Sequence, residues 1–553
     1  SEEDPEGNRT TYHFDLDGRR VAMEDALHNT SRMAYDGQGN VISQTDPRNN
    51  LSTFVYDGFG NLKEQINGRG EKVTFAYDMQ HRLVEATSPL NQKVTYKHNA
   101  KHRITDRTDP LGHTVKTTYL ANGLVNTLTD PRAINTVYSY DANGNVDTTQ
   151  TSTNPVINWN YDIRGNLESL VDQKGAKTSF VYYNNGLLKE RLDPLGKKSL
   201  YEYTAAGEVK KSTDRNNKTT QFSYTASGKL KGISYPGSAV NFHYDARDNL
   251  VEMIDPTGTT TNTYDGAGRL TGHTDSNGHS VGYSYDAAGN LTTLTYPPGN
   301  RTVSYTYDDL NRLSTVKINW LSGKPTMRYV YDNANRLDRV EHFNAMETEY
   351  SWDDADRLKG IAHQGATALV EYSFQLDANG NRIQEVISPA PMLSGSLITD
   401  DTSFAYNHKR NRLDSSSNHR YMFDDEGQLS STVDTVASRY TYDNEGQLTA
   451  RNVVGYSFDD AHRLIQRGSD SFVYDGVGNR VNAIRGVAPN RLETQYIYDA
   501  SGNLLAQANS AGQISRYYIY GAGLAAMVQS NTYYVYHFDG TGHTVALTNA
   551  NDV

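Results

Sequence analysis

The stretch Tyr140-Asp141-Ala142-Asn143-Gly144-Asn145-Val146 decides the fold, because close variants of it return along the chain every 21 residues. A glycine stands four residues after nine of the eleven consecutive points of this series, and an apolar residue stands six residues after ten of them. Repetition at a fixed period indicates a repeat architecture in which each copy is one small structural unit. We call these points, and their equivalents farther along, the lattice positions; the eleven are Phe14, Tyr35, Tyr56, Tyr77, His98, Tyr119, Tyr140, Tyr161, Tyr182, Tyr203 and Tyr224.

Each repeat is predicted to contain two β-strands and two turns. A second aromatic residue usually precedes the lattice position by two, as Phe54 precedes Tyr56, and this spacing places both rings on one face of a strand. The following Asp-x-x-Gly-Asn is turn chemistry, because Asp hydrogen-bonds its own backbone and Gly accepts a positive φ. A second turn begins eleven residues after the lattice position, often with Asp-Pro as in Asp46-Pro47. The residues assigned to this structural signature are Tyr35, Tyr56, Tyr77, Tyr119, Tyr140, Tyr161, Tyr182, Tyr203, Tyr224, Asp36, Asp57, Asp141, Asp162, Gly39, Gly60, Gly144 and Gly165.

The composition indicates a thin sheet. The 553 residues include 40 Tyr and 45 Gly but only 36% hydrophobic residues, and the mean hydropathy is −0.71. So little aliphatic material does not favour a thick two-layer core, and it suits a single-layer curved sheet pinned by ladders of neighbouring tyrosines. We therefore predict an all-β, spiralling antiparallel sheet that winds on itself and forms a hollow shell or part of one.

Charge and composition exclude several classes of partner. The net charge of −12 and the absence of long Lys/Arg runs argue against nucleic acid. No apolar stretch approaches the roughly 20 residues of a membrane span. Cys is absent, which excludes disulfides and thiolate metal sites. Asp4-Pro5-Glu6-Gly7 already reads as a second turn, so we expect the sequence to start inside a repeat array.

The rhythm of the repeats divides the chain into four predicted parts. Regular repeats occupy residues 1–383, and residues 384–403 are expected to form an irregular loop or insertion. Residues 404–510 carry repeats only 16 to 19 residues apart at first, which predicts cut loops or lost strands and coils that are tighter or differently curved. Residues 511–553 form a distinct tail.

The Tyr-Asp-x-x-Gly-Asn/Arg-Leu repeats resemble the Rhs/YD-repeat family over nearly the whole chain. The tail, with Tyr517-Tyr518-Ile519-Tyr520 and Tyr533-Tyr534-Val535-Tyr536-His537-Phe538-Asp539-Gly540, resembles the start of the Rhs-associated core segment. In that family the core segment continues to an Asp-Pro motif at which self-cleavage releases a variable C-terminal toxin, and the sequence stops at Val553 before such a motif.

This resemblance implies a hollow β-shell that encloses a toxic polypeptide, as in bacterial polymorphic toxins, insecticidal toxin complexes and teneurins. It implies a non-enzymatic, secreted or cell-surface protein whose partners are the C-terminal toxin domain, secretion machinery and other shell segments. Lack of Cys favours a bacterial source. The alternatives are an adhesion module that binds polysaccharide or a protein receptor, and a purely structural spacer.

No motif predicts catalysis, a cofactor or a metal. The Asp-Pro-x-Gly sites at 109–112, 193–196 and 255–258 look like a cleavage motif, but their phase favours second turns. The oxygens of 141–147 are spaced as in a calcium loop but lack its terminal Glu. His98 is interpreted as a ring substitute at a lattice position. His537 and His543 flank Asp539, and sheet residues around a turn are favoured over a site there.

Overall fold

The computed structural model describes residues 1–152, 154–365, 368–389, 404–407, 412–416, 419–423, 427–433 and 437–550. Every regular element in these residues is a β-strand, and none of them forms a helix long and apolar enough to cross a membrane. Two antiparallel sheets comprise β1–β37 and β38–β53.

The strands of the first sheet, in chain order, are β1 (Glu2–Glu3), β2 (Arg9–Phe14), β3 (Arg20–Glu24), β4 (Thr30–Tyr35), β5 (Val41–Thr45), β6 (Leu51–Tyr56), β7 (Leu62–Ile66), β8 (Lys72–Tyr77), β9 (Leu83–Thr87), β10 (Lys93–His98), β11 (Ile104–Thr108), β12 (Thr114–Tyr119), β13 (Val125–Thr129), β14 (Asn135–Tyr140), β15 (Val146–Thr151), β16 (Ile157–Tyr161), β17 (Leu167–Val171), β18 (Lys177–Tyr182), β19 (Leu188–Leu192), β20 (Lys198–Tyr203), β21 (Val209–Thr213), β22 (Thr219–Tyr224), β23 (Leu230–Ser234), β24 (Ala239–Tyr244), β25 (Leu250–Asp255), β26 (Gly258–Tyr264), β27 (Leu270–Thr274), β28 (Ser280–Tyr285), β29 (Leu291–Tyr296), β30 (Arg301–Tyr307), β31 (Leu313–Ile318), β32 (Thr326–Tyr331), β33 (Leu337–Glu341), β34 (Glu347–Trp352), β35 (Leu358–Gln364), β36 (Ala368–Leu376) and β37 (Arg382–Pro389).

Those of the second sheet are β38 (Phe404–Asn407), β39 (Arg412–Ser416), β40 (His419–Phe423), β41 (Leu429–Val433), β42 (Ser438–Tyr442), β43 (Leu448–Arg451), β44 (Val454–Phe458), β45 (Leu464–Arg467), β46 (Asp470–Tyr474), β47 (Arg480–Arg485), β48 (Leu492–Tyr498), β49 (Leu504–Ala508), β50 (Ile514–Tyr520), β51 (Leu524–Gln529), β52 (Thr532–Phe538) and β53 (Thr544–Thr548).

Within each sheet, each strand pairs antiparallel with the next one in the chain, so a repeat is two strands and two turns, as predicted. The pairing contains a β-bulge that the sequence did not predict. In β6 and β7, Val55 faces Glu64 and Tyr56 faces Leu62, which leaves Lys63 as the extra residue. The direct cross-strand partner of this lattice tyrosine is therefore aliphatic. The predicted pairing of tyrosine with tyrosine on neighbouring strands is wrong here.

The sheet winds on itself, so that the turns along one edge of the sheet contact the turns along its other edge. The second turns of the early repeats contact the first turns of repeats one winding later; Arg48 reaches Asn311, 263 residues away, and Arg215 reaches Glu445, 230 residues away. Farther along, the separation falls to 190 residues for Tyr533 with Phe343. The windings therefore contain fewer residues toward the C-terminus.

The first winding is one layer thick, but the C-terminal part adds a second layer. The apolar residues less than 9% exposed all lie beyond residue 239. Most of them form one large core between strands β28–β33 and strands β48–β52, and three smaller clusters lie outside it. The first group contributes its tyrosine face, which is the sheet face that carries the lattice rings, through Val303 and Val316. The second group contributes its opposite face, through Ile497, Ile519 and Val535. The single-layer prediction is therefore wrong for this region.

Two predictions about the middle of the chain are corrected or refined. Residues 384–389, the first part of the predicted loop 384–403, belong to β37, and residues 390–403 lie outside the described residues. The shortened repeats keep both strands: Arg451 of β43 pairs directly with Val454 of β44, so only the second turn is cut.

Candidate functional site: repeat turns, winding joint and buried histidines

The first turn of each repeat is held by the aspartate that follows the lattice residue. Asp141 Oδ1 accepts hydrogen bonds from the backbone N–H groups of Asn143 and Asn145 at 2.9 Å each, and the Asn145 side chain donates to Asp141 Oδ2 at 2.9 Å. The Asn145 amide is the main cause that lowers the pKa of the Asp141 carboxyl. Gly144 occupies the turn with φ of 87°. The signature Asp and Gly residues thus make the predicted turn.

Lattice tyrosines join one repeat to the repeat before it. The hydroxyl of Tyr56 donates to the carbonyl oxygen of Val41 at 3.0 Å, and Val41 is the first residue of the preceding repeat's second strand. The same bond recurs, with the acceptor 15 residues upstream, for Tyr35, Tyr77, Tyr119, Tyr140, Tyr182 and Tyr224. Because these hydroxyls donate hydrogen bonds to backbone carbonyls, the tyrosines connect each repeat to the one before it.

Arginine replaces asparagine at the end of some first turns and also bridges repeats. Arg269 forms an ion pair with Asp265 of its own turn at 2.8 Å and donates to the Asp286 carbonyl of the next repeat at 2.9 Å. Its guanidinium also lies over the ring of Tyr285, 5.0 Å from the centroid. This substitution therefore keeps the turn and adds a contact between repeats.

Two glycines in one turn provide a matched test of this geometry. Gly60 has φ of 84°, whereas Gly58 is in an ordinary conformation with open space around it. We expect Gly60→Ala to lower the free energy of unfolding by about 1–2 kcal/mol, because an L-residue is strained at positive φ. Gly58→Ala is expected to change it by less than about 0.5 kcal/mol. Chemical denaturation of both variants checks this, and equal effects would contradict it.

We call the contact between second turns of one winding and first turns of the next the winding joint. Arg48 donates to the carbonyls of Tyr307 and Asp308 at 3.0 and 2.9 Å and to Asn311 Oδ1 at 2.8 Å. Asn311 in turn donates to Asp46 Oδ2 at 2.8 Å. Other polar contacts across the joint are Asp4 with Arg247, Arg132 with Asp377, Asp130 with Asn379, Asn216 with Asp443, and Lys218 with Asp460.

A cluster of three buried histidines lies where the C-terminal hairpin β52–β53 meets β34 and β35. His537 is completely buried, and its ring centroid is 5.1 Å from that of His342 and 4.9 Å from that of His363. Burial lowers the pKa of His342 to about 3 and that of His537 to about 2, and it also lowers the pKa of His363. Sequence reasoning missed this cluster, because its members are up to 195 residues apart (537 minus 342).

The other sequence candidates are turn or sheet residues. Asp109, Asp193 and Asp255 each hold a second turn through hydrogen bonds from backbone N–H groups, which agrees with the turn interpretation. His98 ends β10 opposite Ile104, as a lattice residue should. His543 is exposed on the Asp539 turn, whereas His537 points into the buried cluster. Within the described ranges, no group of three or more His, Asp or Glu side chains is arranged so that it could hold a metal ion.

Family models match two parts of the chain. The model described as RHS Repeat matches residues 35–72, 56–93, 77–114, 224–260 and 264–301, and the model described as Teneurin YD-shell matches residues 392–551. No curated protein matches the chain.

Three crystal structures have a similar fold. That of TcdB2-TccC3-Cdc42 has a TM-score of 0.70 at 14% identity, and the match covers 99% of this chain and 35% of that one. That of TcdB2-TccC3 gives 0.63 at 13%, covering 100% and 40%. That of TcdB2-TccC3 without its hypervariable C-terminal region gives 0.62 at 14%, covering 99% and 34%. The chain thus spans less than half the length of the chains that it matches.

Proposed function

Because the chain belongs to the Rhs/YD-repeat family, we propose that it is a wall segment of a shell that encloses a C-terminal toxin polypeptide and shields it until delivery. The proposed role is structural and non-catalytic. Exclusion is steric: the wall keeps proteases and the producing cell away from the cargo, and no bond is made or broken by its residues.

The observation that carries this proposal is the winding joint. A repeat sheet whose windings did not contact each other would be an open ribbon, and its turns would be exposed to solvent. Here the turns near Asp4, Arg48, Arg132 and Arg215 are each bonded to the following winding, so the joint is bonded at four places spread along one circuit. Bonds between windings are what a wall requires and what a spacer does not.

The wider biological setting follows from the same family membership. We propose a bacterial, secreted or cell-surface protein whose partners are the toxin domain, further shell segments and secretion machinery. The divisions at 403 and 510 remain predictions for where repeats of different lengths succeed one another along this wall.

An adhesion role is the second candidate, and one surface feature favours it. A shallow depression of about 610 Å³ is lined by Tyr183 and Tyr203 together with Asn184, Asn185 and Glu202. Aromatic rings beside amides and a carboxylate are suited to a sugar. The two rings are perpendicular, with centroids 6.2 Å apart, and the Tyr183 hydroxyl already donates to the Tyr201 carbonyl. Glycan-array binding that is lost in Tyr203→Ala would support adhesion over containment.

The containment proposal is tested on the protein carrying its native downstream region. One version has a specific protease site in that downstream segment, and a control has the same site beside Val453, a fully exposed residue in a two-residue turn. We expect cleavage at the downstream site to be slower by about tenfold or more, because a walled-off segment is reached only when the wall opens. Equal cleavage of the two sites would overturn enclosure, and an electron-microscopy map of the same protein would show whether a cavity contains density.

A further inference from the structure

We propose that the three histidines His342, His363 and His537 form an acid-sensitive latch that holds the C-terminal hairpin β52–β53 against strands β34 and β35. The latch depends only on the contact between this hairpin and these strands, and it would operate whatever the shell contains. Its members come from three separate places: the second turn after β33, the strand β35, and the strand β52.

The hydrogen bonds assign a neutral state to the cluster. His363 Nε2 lies 2.9 Å from the carbonyl oxygen of Phe538, so this nitrogen carries a proton and the other ring nitrogen accepts. Thr348 Oγ1 lies 2.8 Å from His363 Nδ1 and 2.6 Å from His342 Nε2. The hydroxyl has one proton; it donates to His363 and accepts from His342. His342 Nδ1 is then a buried lone pair, and it has no hydrogen-bond partner in the structure.

Added protons would meet no compensating charge. His537 Nδ1 is 3.4 Å from His363 Nδ1, and its Nε2 is 2.8 Å from Thr548 Oγ1, which also receives the Asn344 amide at 3.0 Å. Within the described part of the chain, no carboxylate lies within ion-pair distance of the three imidazoles. Two protonated rings would repel each other at this separation and would also lose their hydration.

The surrounding ionisable groups leave this conclusion unchanged. Tyr372 of β36 packs edge-on against His363 with centroids 6.4 Å apart, and burial raises the pKa of Tyr372, so it stays neutral. Glu341 adjoins His342 and Glu347 adjoins Thr348, but the two carboxylates lie on the opposite face of the sheet, where both form ion pairs with Arg339. The nearest charges at the turn and on β37 are Asp539, His543, Arg382 and Glu385, where Asp539 pairs with His543 and Arg382 with Glu385.

The sign of the pH dependence follows from these depressed pKa values. The released hairpin binds protons at the ordinary histidine pKa near 6.5, whereas the docked hairpin does not, so docking is fully stable above about pH 6.5 and weakens as the pH falls. At pH 5 each histidine multiplies the opening equilibrium by about 30-fold, and two of them by about 1,000-fold.

Hydrogen exchange measured at pH 7.5 and about pH 5, corrected for the intrinsic rate, tests the latch on the full chain. We expect residues 532–548 to lose protection by about 1,000-fold while residues 280–296, which belong to the neighbouring core, change far less. His342→Leu is expected to reduce the acid response of 532–548 by about 30-fold. His243→Gln, at an exposed histidine paired with Glu252, is the matched control and should leave it unchanged.

Two results would overturn the proposal. Protection of 532–548 that falls no further than that of 280–296 overturns the proposal. So does a His342→Leu protein that opens with acid as readily as the unaltered one. If His342→Leu does not fold, the comparison of the two segments in the unaltered protein remains decisive by itself.

Discussion

Replacing Ile519 by alanine is expected to lower the free energy of unfolding of the C-terminal layer by about 2–5 kcal/mol. Ile519 is completely buried and belongs to the core between the two sheet layers, with Tyr296 and Val528 also fully enclosed. Truncation would leave a cavity in a packed interface that is fixed from both sides. Hydrogen exchange of β50 and β51 measures the local free energy directly.

Val181→Ala serves as the control for this substitution. Val181 is also a lattice-minus-one residue, but it lies in the single-layer part of the wall and is 48% exposed. Its replacement is expected to cost less than about 1 kcal/mol. If the two substitutions lowered the free energy of unfolding by similar amounts, the expectation drawn from the burial of Ile519 would be wrong, and the C-terminal layer would contribute little packing energy.

The repeat could be predicted because its determinants are local. An aspartate that bonds the backbone two and four residues ahead, as Asp141 does, and a glycine at positive φ, as Gly144 is, act inside one turn. Their spacing therefore fixes two strands and two turns without reference to the remainder of the chain. The family resemblance rests on the same local residues, which is why fold and family were both predicted correctly.

The second layer depended on contacts that no local pattern encodes. Tyr296 donates to the carbonyl of Tyr518, 222 residues away, and nothing in either repeat indicates that partner. One signal was nevertheless present in the tail. Tyr517-Tyr518-Ile519-Tyr520 is apolar or aromatic on both strand faces, as is typical of a strand covered on both sides, whereas polar residues such as Ser139 and Asn160 occupy the position of Ile519 in several early repeats.

The buried histidines illustrate the same limit. In the sequence His537 stands near Asp539 and His543, so sequence proximity favours partners within its own turn. A strand reverses side-chain direction at each residue, and His537 points to the face that meets His363. Its real neighbours are set by where the hairpin β52–β53 packs against β34 and β35. That position depends on the summed length of all the repeats between these strands.

Removing Arg48 is expected to weaken the winding joint by about 2–3 kcal/mol. Its guanidinium donates to two backbone carbonyls and one side-chain oxygen of the neighbouring winding, and its Nε lies 3.4 Å from Asp286. Arg48→Ala would leave the carbonyls of Tyr307 and Asp308 without this donor. Arg48→Lys should restore less than half of the loss, because one ammonium cannot reproduce a planar fork that serves three acceptors.

Arg164→Ala is the control that distinguishes contacts between windings from contacts between repeats of one winding. Arg164 also lies in a repeat turn, but its side chain donates to the carbonyl of Asn184 in the adjacent repeat and so bridges repeats without bridging windings. Hydrogen exchange of residues 301–318 should rise in Arg48→Ala and stay unchanged in Arg164→Ala. If both variants raised it alike, the windings would be held by the continuity of the sheet, and the joint could not serve as the seal that containment requires.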